Sequence, residues 1–389
     1  MGGVSMEWKE VRLGDVCSEL SDGLHKAPKF IVNGEYIFVN AKNLYNGYIL
    51  DNDPTKKTSH EEYLKYKKPL GKHTILYSID GTIGNIAKYR GEKCVLGKGA
   101  CYINCNPEIV ESSYLYYQLQ SPHFKSYIHL MSTGSTIKHI SLKTMRDYVF
   151  ELPSLEDQRR IASILSSLDR KIELNNKINA DLKEMAQAIF KNWFVDFEPF
   201  KDGKFVDSEL GMIPEGWKVG TLGELCNFKR GKNLLTKNAI DEGVPVVAGG
   251  LEPSCYHNVA NTGAPVITVS GSGANAGFMR MYHVPVWASD CSFIDISCEN
   301  FYFVYCFLKV NSKLLKHAQT GAVQPHVKPS DIHDFELVIP DKESIYDFQD
   351  KVKSFFDKIA SIQKENSRLS LLRDTLLPRL MSGEIEVPE

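Results

Sequence analysis

The chain contains an internal duplication, which restricts its possible folds more than any other feature of the sequence. Residues 8–17 return 209 positions later as residues 217–226, with the same Trp-Lys pair and the same Leu-Gly pair before a cysteine. Residues 133–153 return 187 positions later as residues 320–340, with five identities that begin at a Thr-Gly pair and end at a proline. Self-similarity of this kind indicates two copies of one folding unit. The sequence therefore predicts two related modules.

The stretches that follow Pro153 and Pro340 carry apolar residues at a seven-residue period, which is typical of a coiled-coil helix. Because the two helices match in length and register, we expect them to pair with each other as an antiparallel coiled coil. Asn179 and Asn366 occupy corresponding seam positions, where a buried polar residue lowers stability but fixes register. The predicted seam consists of Ile161, Leu165, Leu168, Ile172, Asn179, Leu182 and Ile189 in the first helix and of Phe348, Val352, Phe355, Ile359, Ile362, Asn366, Leu369 and Leu376 in the second.

Inside each module, short runs of β-branched and aromatic residues are broken by Gly, Asn, Asp and Pro, which predicts β-rich domains with a few helices. The clearest predicted strands are residues 36–39, 74–77, 101–103 and 265–269, and the predicted helices are residues 113–120 and 301–308. The predicted fold class is α+β, with two β-rich domains that alternate with two long helices. The predicted boundaries are 6–153 for the first module, 154–198 for its helix, 199–340 for the second module and 341–386 for its helix.

The search for catalytic motifs is negative for phosphate-binding P-loops, zinc-protease HExxH, Gly-x-Ser-x-Gly and the Asn/Asp-Pro-Pro-aromatic motif of amino-methyltransferases. Gly271 to Gly277 superficially resembles a dinucleotide-binding loop, but a strand rather than a helix is predicted after it. We therefore interpret it, and Gly81 to Gly84, as tight turns. Asp341 follows a proline as in some nucleases, but its position favours a helix N-cap. The chain is expected to be non-catalytic.

Nine cysteines are present without any Cys-x-x-Cys pair, which predicts reduced thiols and a cytoplasmic protein. Cys94, Cys101 and Cys105 lie close together in a strand-rich stretch, where burial is a simpler explanation than metal binding. No metal site is predicted. The sequence contains no apolar run long enough for a membrane span and no secretory signal at its start, so neither a membrane protein nor a secreted one is expected.

The net charge of −2 argues against a protein that coats nucleic acid indiscriminately. Residues 1–150 nevertheless carry 19 Lys and Arg against 15 Asp and Glu, and they are the only basic segment. The first module is also longer than the second between Cys17 and Ser78, and the extra residues are rich in lysine. Two modules that share a scaffold but differ in one long loop are expected to bind related but different targets; a merely solvated lysine-rich loop is the alternative.

Several motifs, taken in order, resemble one protein family. The most specific are residues 214–217 (Pro-Glu-Gly-Trp) before 222–224, residues 152–153 (Leu-Pro) before 157–162, residues 188–199 and residues 376–385. Together with the duplication and the two helices, they make the chain similar to the specificity (S) subunit of type I restriction-modification systems over nearly its whole length. Met1 to Ser5 have no match in that family and are consistent with a cloning remnant before Met6.

The resemblance implies that each module is a target recognition domain, which reads one half of a split, asymmetric DNA site. It implies that the paired helices set the gap and bind two methyltransferase (M) subunits, which would carry S-adenosylmethionine. Restriction (R) subunits would join for cleavage. This chain would itself hold no cofactor, and it would work in a bacterial or archaeal cytoplasm.

Base readout needs polar side chains on loops, and phosphate contacts need lysine or arginine. On this basis we select DNA-binding candidates in both modules. They are Lys26, Lys42, Asn43, Lys56, Lys57, Thr82, Asn85, Ser135 and Lys138 in the first module and Lys229, Arg230, Lys232, Lys237, Ser272, Asn275, Arg280, Gln324 and Lys328 in the second. His139 and His326 recur between the modules without a nucleophile partner, which favours a scaffold or DNA-contact role.

Two other functions are compatible with parts of the sequence. A coiled-coil scaffold or interaction protein without DNA binding would use the same helices, and a basic face on the modules would distinguish the two possibilities. A fused nuclease or methyltransferase is disfavoured by the missing motifs. Within the family, the chain could also be a half-functional or phase-variable S subunit whose restriction subunit is missing.

Overall fold

In a computed structural model, residues 8–134, 138–320 and 325–387 are described, except for the side chain of Thr236. Within them the chain divides into two compact units. The first unit runs to Glu173 and resumes at Asn366, and the second is Leu174–Glu365. Each unit therefore contains one module together with part of each long helix.

The first module is built around a four-stranded antiparallel sheet in the order β2-β10-β7-β8, beside a three-stranded sheet β6-β3-β9 in which β3 and β9 are parallel. A two-stranded sheet pairs β1 with β11 and so brings the two ends of the module together. The strands are β1 (Lys9–Arg12), β2 (Cys17–Asp22), β3 (Tyr36–Val39), β4 (Leu44–Tyr45), β5 (Tyr48–Ile49), β6 (Lys57–Thr58), β7 (Thr74–Ser78), β8 (Ile86–Lys88), β9 (Cys94–Leu96), β10 (Ala100–Cys105) and β11 (Val149–Leu152).

The helices of the first module begin at residues that satisfy their free backbone amides. Ser59, Ser121 and Ser141 each accept a hydrogen bond from the backbone amide three residues later, as N-cap serines do. The helices are α1 (His60–Tyr66), α2 (Ser112–Gln118), α3 (Pro122–Met131) and α4 (Leu142–Arg146), followed by the 40-residue helix α5 (Leu155–Phe194).

The second module repeats this topology. Its four-stranded sheet has the order β15-β21-β18-β19, its three-stranded sheet is β17-β16-β20 with β16 and β20 parallel, and β14 pairs with β22. The strands are β12 (Phe205–Val206), β13 (Ile213–Pro214), β14 (Lys218–Thr221), β15 (Lys229–Arg230), β16 (Val244–Val247), β17 (Cys255–His257), β18 (Val266–Ser270), β19 (Met279–Tyr282), β20 (Trp287–Ala288), β21 (Cys291–Asp295) and β22 (Glu336–Ile339). The helices are α6 (Phe301–Val310), α7 (Ser312–His317), α8 (Pro329–His333) and the 40-residue α9 (Lys342–Met381).

The duplication is thus confirmed, and so is the α+β fold class. The predicted strands 36–39, 74–77 and 101–103 and the predicted helix 301–308 fall within β3, β7, β10 and α6. The predicted strand 265–269 and helix 113–120 overlap β18 and α2 and extend beyond them by one residue and two residues. The length difference between the modules has a structural counterpart, because the hairpin β4-β5 and the helix α1 have no equivalent among the described residues of the second module. The described residues also include short 3-10 helices at Leu13–Val16, Ala41–Asn43, Glu198–Phe200, Leu222–Glu224 and Thr236–Asn238.

The long helices pair in an antiparallel manner, as the contacts within each unit show. In the first unit, Ile161 and Leu165 of α5 share a core with Leu377 and Leu380 near the end of α9. In the second unit, residues near the end of α5, such as Phe190, share a core with residues near the start of α9. The predicted seam residues are buried or half-buried. At one position the seam is shifted by one residue, because Phe355 is half-buried whereas its neighbour Phe356 is fully buried.

The core of the second unit is closed by aromatic side chains at the junction of module and helix. In the second unit, the Trp217 ring lies beside the rings of Phe194, Phe197 and Phe200, and its indole Nε1 donates to Oδ2 of Asp341 at 2.8 Å. Asp341 also accepts from the backbone amide of Ser344, which confirms the predicted N-cap role at the start of α9.

The three clustered cysteines of the first module are buried, as predicted. Cys94, Cys101 and Cys105 are each at most 3% exposed. Burial raises the pKa of the Cys101 thiol to about 12, so the thiol stays protonated and unreactive. A scan of the described helices finds none that is both long and apolar enough to cross a membrane.

Candidate nucleic-acid interface

Both modules carry a glycine-rich turn immediately after the central buried strand. In the first module, the turn follows β7 and contains Gly81 and Gly84, with φ angles of 71° and 102°. In the second, it follows β18 and contains Gly273 and Gly277, with φ angles of 80° and 77°. Positive φ angles favour glycine because it lacks a Cβ atom. The prediction that these segments are tight turns rather than dinucleotide-binding loops is confirmed.

A second backbone segment runs beside each turn and carries the recurrent histidine. In the first module, the amide of Gly81 donates to the carbonyl of Lys138, and His139 forms a β-bridge with Asp80. In the second, the amide of Gly273 donates to the carbonyl of Pro325, and His326 forms the equivalent bridge with Ser272. We call the strand end, the turn and this histidine segment the corner of the module. The two corners are equivalent places in the duplicated fold.

The corner of the second module contains a fixed arginine. Arg230, at the end of β15, forms an ion pair with Asp290, whose other carboxylate oxygen accepts from the Ser272 hydroxyl. An open cleft of about 570 Å³ adjoins the pair and is lined by Arg230, Gly271, His326, Lys328, Pro329 and Ser330. Arg230, Ser272 and Lys328, which were selected from the sequence, are therefore placed at one site.

The corner of the first module has a different charge pattern. The Asp80 carboxylate accepts from Nδ1 of His139 at 2.7 Å, and the Lys98 ammonium lies 3.9 Å from its other oxygen. Asp22, at the end of β2, lies 3.1 Å from Nε2 of His25. The side chains of Asp22, Asp80 and Lys98 were not selected from the sequence. Two residues that were selected from the sequence, Lys138 and the exposed Thr82, also lie at this corner.

The lysines of the longer loop in the first module are partly neutralised by aspartates. Lys42 and Lys56 each lie 3.4 Å from Oδ2 of Asp53, and Lys57 lies 2.5 Å from Oδ2 of Asp51. Hydrogen bonds from Thr55, and then from the two lysines, lower the pKa of the Asp53 carboxyl to about 2. Such exposed pairs contribute little to stability, but they reduce the positive charge that the loop offers to a phosphate.

The other selected lysines are better placed for phosphate contacts. Lys26, Lys138, Lys229, Lys232, Lys237 and Lys328 are exposed, and within residues 8–134, 138–320 and 325–387 they have no ion-pair partner. Ser135 and Gln324 were also selected, and they lie outside the described residues.

The selected residue Asn43 lies inside its own loop. Its side chain is 2% exposed, and Nδ2 donates to the Leu50 carbonyl at 3.0 Å and to Oδ1 of Asn52 at 2.8 Å. Its Oδ1 accepts from the backbone amide of Asn40. The side chain therefore stabilises its own loop, because asparagine hydrogen-bonds readily to nearby backbone in turns.

Three further selected residues also support loops, although they are less buried. Nδ2 of Asn85 donates to the Ala41 carbonyl at 2.9 Å, and Nδ2 of Asn275 donates to the Gly249 carbonyl at 3.3 Å. Nη1 of Arg280 donates to the Leu251 carbonyl and to Glu252, at 2.8 and 2.9 Å. These contacts leave part of each side chain accessible, so the residues remain predictions.

The described residues contain no group of three or more His, Cys, Asp or Glu side chains that could hold a metal ion. The side chains at the corners offer hydrogen bonds and charge. Guanidinium, carboxylate, imidazole and hydroxyl groups on loops are the groups that read base edges in DNA-binding proteins.

Residues 6–184 and 214–370 match the family model described as the type I restriction modification DNA specificity domain. The two matched stretches cover most of the chain and include both corners. The chain belongs to this family.

Full-length relatives support the assignment to the DNA specificity family. The specificity subunit of the type I restriction enzyme MjaIX from Methanocaldococcus jannaschii is 30% identical over 387 residues, which cover 93% of this chain and 86% of that protein. The HindI specificity subunit from Haemophilus influenzae is 26% identical over 480 residues, which cover 97% of this chain and all of the relative. A crystal structure of an S subunit from M. genitalium shares the fold, with a TM-score of 0.60, 20% identity and 97% of both chains covered.

Three residues at the corners were not selected as DNA-binding candidates from the sequence of this family member. Asp80, Lys98 and Asp290 lie at the corners, but equivalent positions of the two modules hold different residue types, so self-similarity did not reveal them. Lys98 and Asp290 are separated by the same 192 residues that separate Ser78 from Ser270. Comparison of the two modules at that offset would have drawn attention to them.

Proposed function

We propose that the chain is the DNA-sequence-specificity subunit of a type I restriction-modification complex and that each module reads one half of a split, asymmetric DNA site. One observation carries the proposal. The modules have the same strand order but different corners and loops, in a chain that matches a DNA specificity family over two separate stretches. Two copies of one scaffold with different polar contacts suit two different half-sites.

The distribution of charge also supports DNA as the target. Among the described residues, the selected lysines without an ion-pair partner are Lys26 and Lys138 in the first module and Lys229, Lys232, Lys237 and Lys328 in the second. They lie on strand ends or loops, except that Lys237 lies in a short 3-10 helix. Phosphate contacts of this type position a protein on the duplex, whereas base contacts set the sequence.

The roles proposed for the helices are to set the gap between half-sites and to bind two methyltransferase subunits. A continuous helix of 40 residues is a stiff spacer, and α5 and α9 pair along both units. Methylation of adenine from S-adenosylmethionine, and cleavage by a restriction subunit, would belong to those partners. The complex would act on chromosomal DNA in the cytoplasm of a bacterium or archaeon.

The decisive experiment is co-expression of the full chain with a methyltransferase subunit of the same organism, followed by methylome sequencing of the host DNA. We expect methylation at one split, asymmetric motif, present only when both proteins are expressed. A methyltransferase expressed without this chain is the matched control, and it should methylate no such motif.

The same experiment distinguishes the alternative, a scaffold that binds protein through its coiled coil but binds no DNA. Co-purification with the methyltransferase subunit, combined with no new methylation and no retention of DNA by the complex, would support the scaffold and overturn the proposal. Methylation without cleavage would instead indicate a system whose restriction subunit is missing.

A further inference from the structure

The residues of the two corners can be matched to each other from the backbone contacts that the corners share. Gly23 and Gly231 each lie directly against the backbone of the turn that precedes the next strand of the sheet, at residues 96–97 and 288–289. The amides of Leu24 and Lys232, one residue later, donate to the carbonyls of residues 96 and 288. Asp22 and Arg230, which precede these glycines, therefore occupy equivalent positions.

One further position of the corners is equivalent by the same reasoning. Asp80 and Ser272 both form the β-bridge with the recurrent histidine. Lys98 and Asp290 are neighbours in the match rather than strict equivalents, because the amides of Ile79 and Gly271 donate to the carbonyls of Gly99 and Asp290. Both nevertheless belong to the turn before β10 or β21, and each contacts the residue that forms the bridge. The histidines are retained, whereas the other residues of the corners differ between the modules.

The differences invert the charge at one equivalent position, where Asp22 of the first module corresponds to Arg230 of the second. The charge carried by the neighbouring turn is also opposite, with Lys98 in the first module and Asp290 in the second. The long arginine side chain is accommodated by a compensating change, because a Cβ at Gly271 would collide with the Arg230 guanidinium. The residue of the first module that is equivalent to Gly271 is Ile79, which is 1% exposed. That module has the short Asp22 in place of the arginine.

This pattern indicates a site that has been adapted differently in each module. Asp290 holds the Arg230 guanidinium through one oxygen and the Ser272 hydroxyl through the other. Among the described residues, Arg230 has one carboxylate contact, which leaves most of its five N–H donors available, and the side chain is 45% exposed beside the open cleft. A fixed guanidinium can donate two parallel hydrogen bonds to O6 and N7 of guanine, the commonest specific contact in the major groove.

We propose that Arg230 reads a guanine in the half-site bound by the second module and that Asp22, at the equivalent position of the first module, accepts from the exocyclic amine of a different base. Cytosine N4 is the amine that carboxylates most often contact. Asp290 and Gly271 are positioning residues, because they act through Arg230. The inference deepens the proposed function and depends on it.

The test is a selection of bound DNA, in which the full chain in complex with its methyltransferase subunits is mixed with double-stranded DNA randomised in both half-sites. We expect R230Q to weaken the preference for one guanine about tenfold or more and to favour adenine there, because glutamine pairs with adenine N6 and N7. The other half-site should remain unchanged. We expect D22N to change one position of the opposite half-site only.

Two further variants distinguish a loss of base recognition from a general loss of folding. G271A retains the arginine but displaces its guanidinium, so it should relax the same guanine position as R230Q. K313Q removes one exposed positive charge from α7 of the same module, and it should leave every position of the motif unchanged. If R230Q does not fold, G271A and R230K, which lacks the planar fork of arginine, still test the inference.

The outcomes separate this inference from the function on which it rests. If the unaltered complex selects a split motif and both R230Q and G271A keep that motif intact, the assignment of Arg230 is wrong while the proposed function stands. If the unaltered complex selects no motif at all, the proposed function itself fails, and with it the inference.

Discussion

Arg373 of α9 donates from Nη1 to Oδ1 of Asp169 of α5, with 2.8 Å between the two atoms. The other oxygen of Asp169 accepts from the Tyr117 hydroxyl at 2.6 Å. In the first unit, one carboxylate therefore joins the paired helices to α2 of the module. Burial, and then the hydrogen bond to Asp169, raise the pKa of Tyr117, so its hydroxyl remains a donor.

We expect Asp169→Ala to lower the free energy of unfolding by about 1–3 kcal/mol, because it leaves the Tyr117 hydroxyl without its acceptor and the half-buried Arg373 guanidinium with Asp374 alone. Urea unfolding of the purified chain measures the change. Glu156→Ala is the control, since Glu156 pairs with Arg160 on the same helix but is 73% exposed, and its loss should cost about 0.5 kcal/mol or less. Equal losses for both variants would contradict the bridging role of Asp169.

Local patterns predicted the elements of the fold well. The apolar heptads marked α5 and α9, and the β-branched runs marked strands such as β7, because both signals arise from which face of an element is buried. The duplication then predicted that the second module would repeat the first.

The arrangement of the strands and the corners could not be predicted in the same way. The parallel pairing of β3 with β9 joins residues that lie far apart in sequence, and no local pattern specifies which strands meet. Asp80 and His139 are 59 residues apart. An asparagine in a turn, such as Asn43, has the same sequence signature whether it contacts a ligand or its own backbone.

The aromatic core of the second unit depends on Phe348, which is fully buried in α9 against the rings of Phe190 and Phe194. We expect Phe348→Ala to lower the free energy of unfolding by about 3–5 kcal/mol through lost apolar burial and the cavity left behind. Thermal unfolding followed by circular dichroism measures the effect. Tyr346→Ala, two residues earlier and 68% exposed, should change stability by less than about 0.5 kcal/mol. A loss below about 1 kcal/mol for Phe348→Ala would show that the core can collapse around the gap.

Asn179 is a polar residue at the buried seam of α5. It is 6% exposed, and its Oδ1 has no hydrogen-bond partner within the described part of the chain. We expect Asn179→Leu to raise the free energy of unfolding by about 1 kcal/mol, since it removes the cost of burying an unsatisfied carbonyl. Urea denaturation measures the change, with Asn192→Leu on the exposed face of the same helix as the control. Destabilisation by Asn179→Leu would mean that the amide is satisfied after all, for example by water.

Lys232 is exposed, follows Gly231 at the second corner and has no ion-pair partner among the described residues. If it contacts a phosphate, Lys232→Gln should weaken binding of all sequences alike and reduce the slope of log K against log salt by about 0.9. Titrations of the complex with DNA at several salt concentrations measure this slope. Lys204→Gln, which removes an exposed lysine near β12, is the control and should leave the slope unaltered. An unchanged slope for Lys232→Gln would exclude the phosphate contact.

His283 should make the stability of the second unit depend on pH. Burial, and then the nearby Lys183 ammonium, lower the pKa of this imidazole from 6.5 to about 4, against a smaller opposing effect of Asp357. The folded chain therefore keeps His283 neutral where the unfolded chain protonates it, so the stability that it contributes is complete above pH 6.5 and is lost as the pH falls towards 4.

Between pH 7 and pH 4.5 we expect the chain to lose about 1–2 kcal/mol more stability than its His283→Gln variant, which cannot take up the proton. The figure is smaller than the full shift in pKa implies, because solvent reaches part of the ring. Urea unfolding of both proteins at the two pH values gives the difference. His317→Gln removes an exposed histidine of α7, and it should lose as much stability as the unaltered chain. Parallel losses in the unaltered chain and in His283→Gln would mean that His283 is protonated equally readily in the folded and unfolded states.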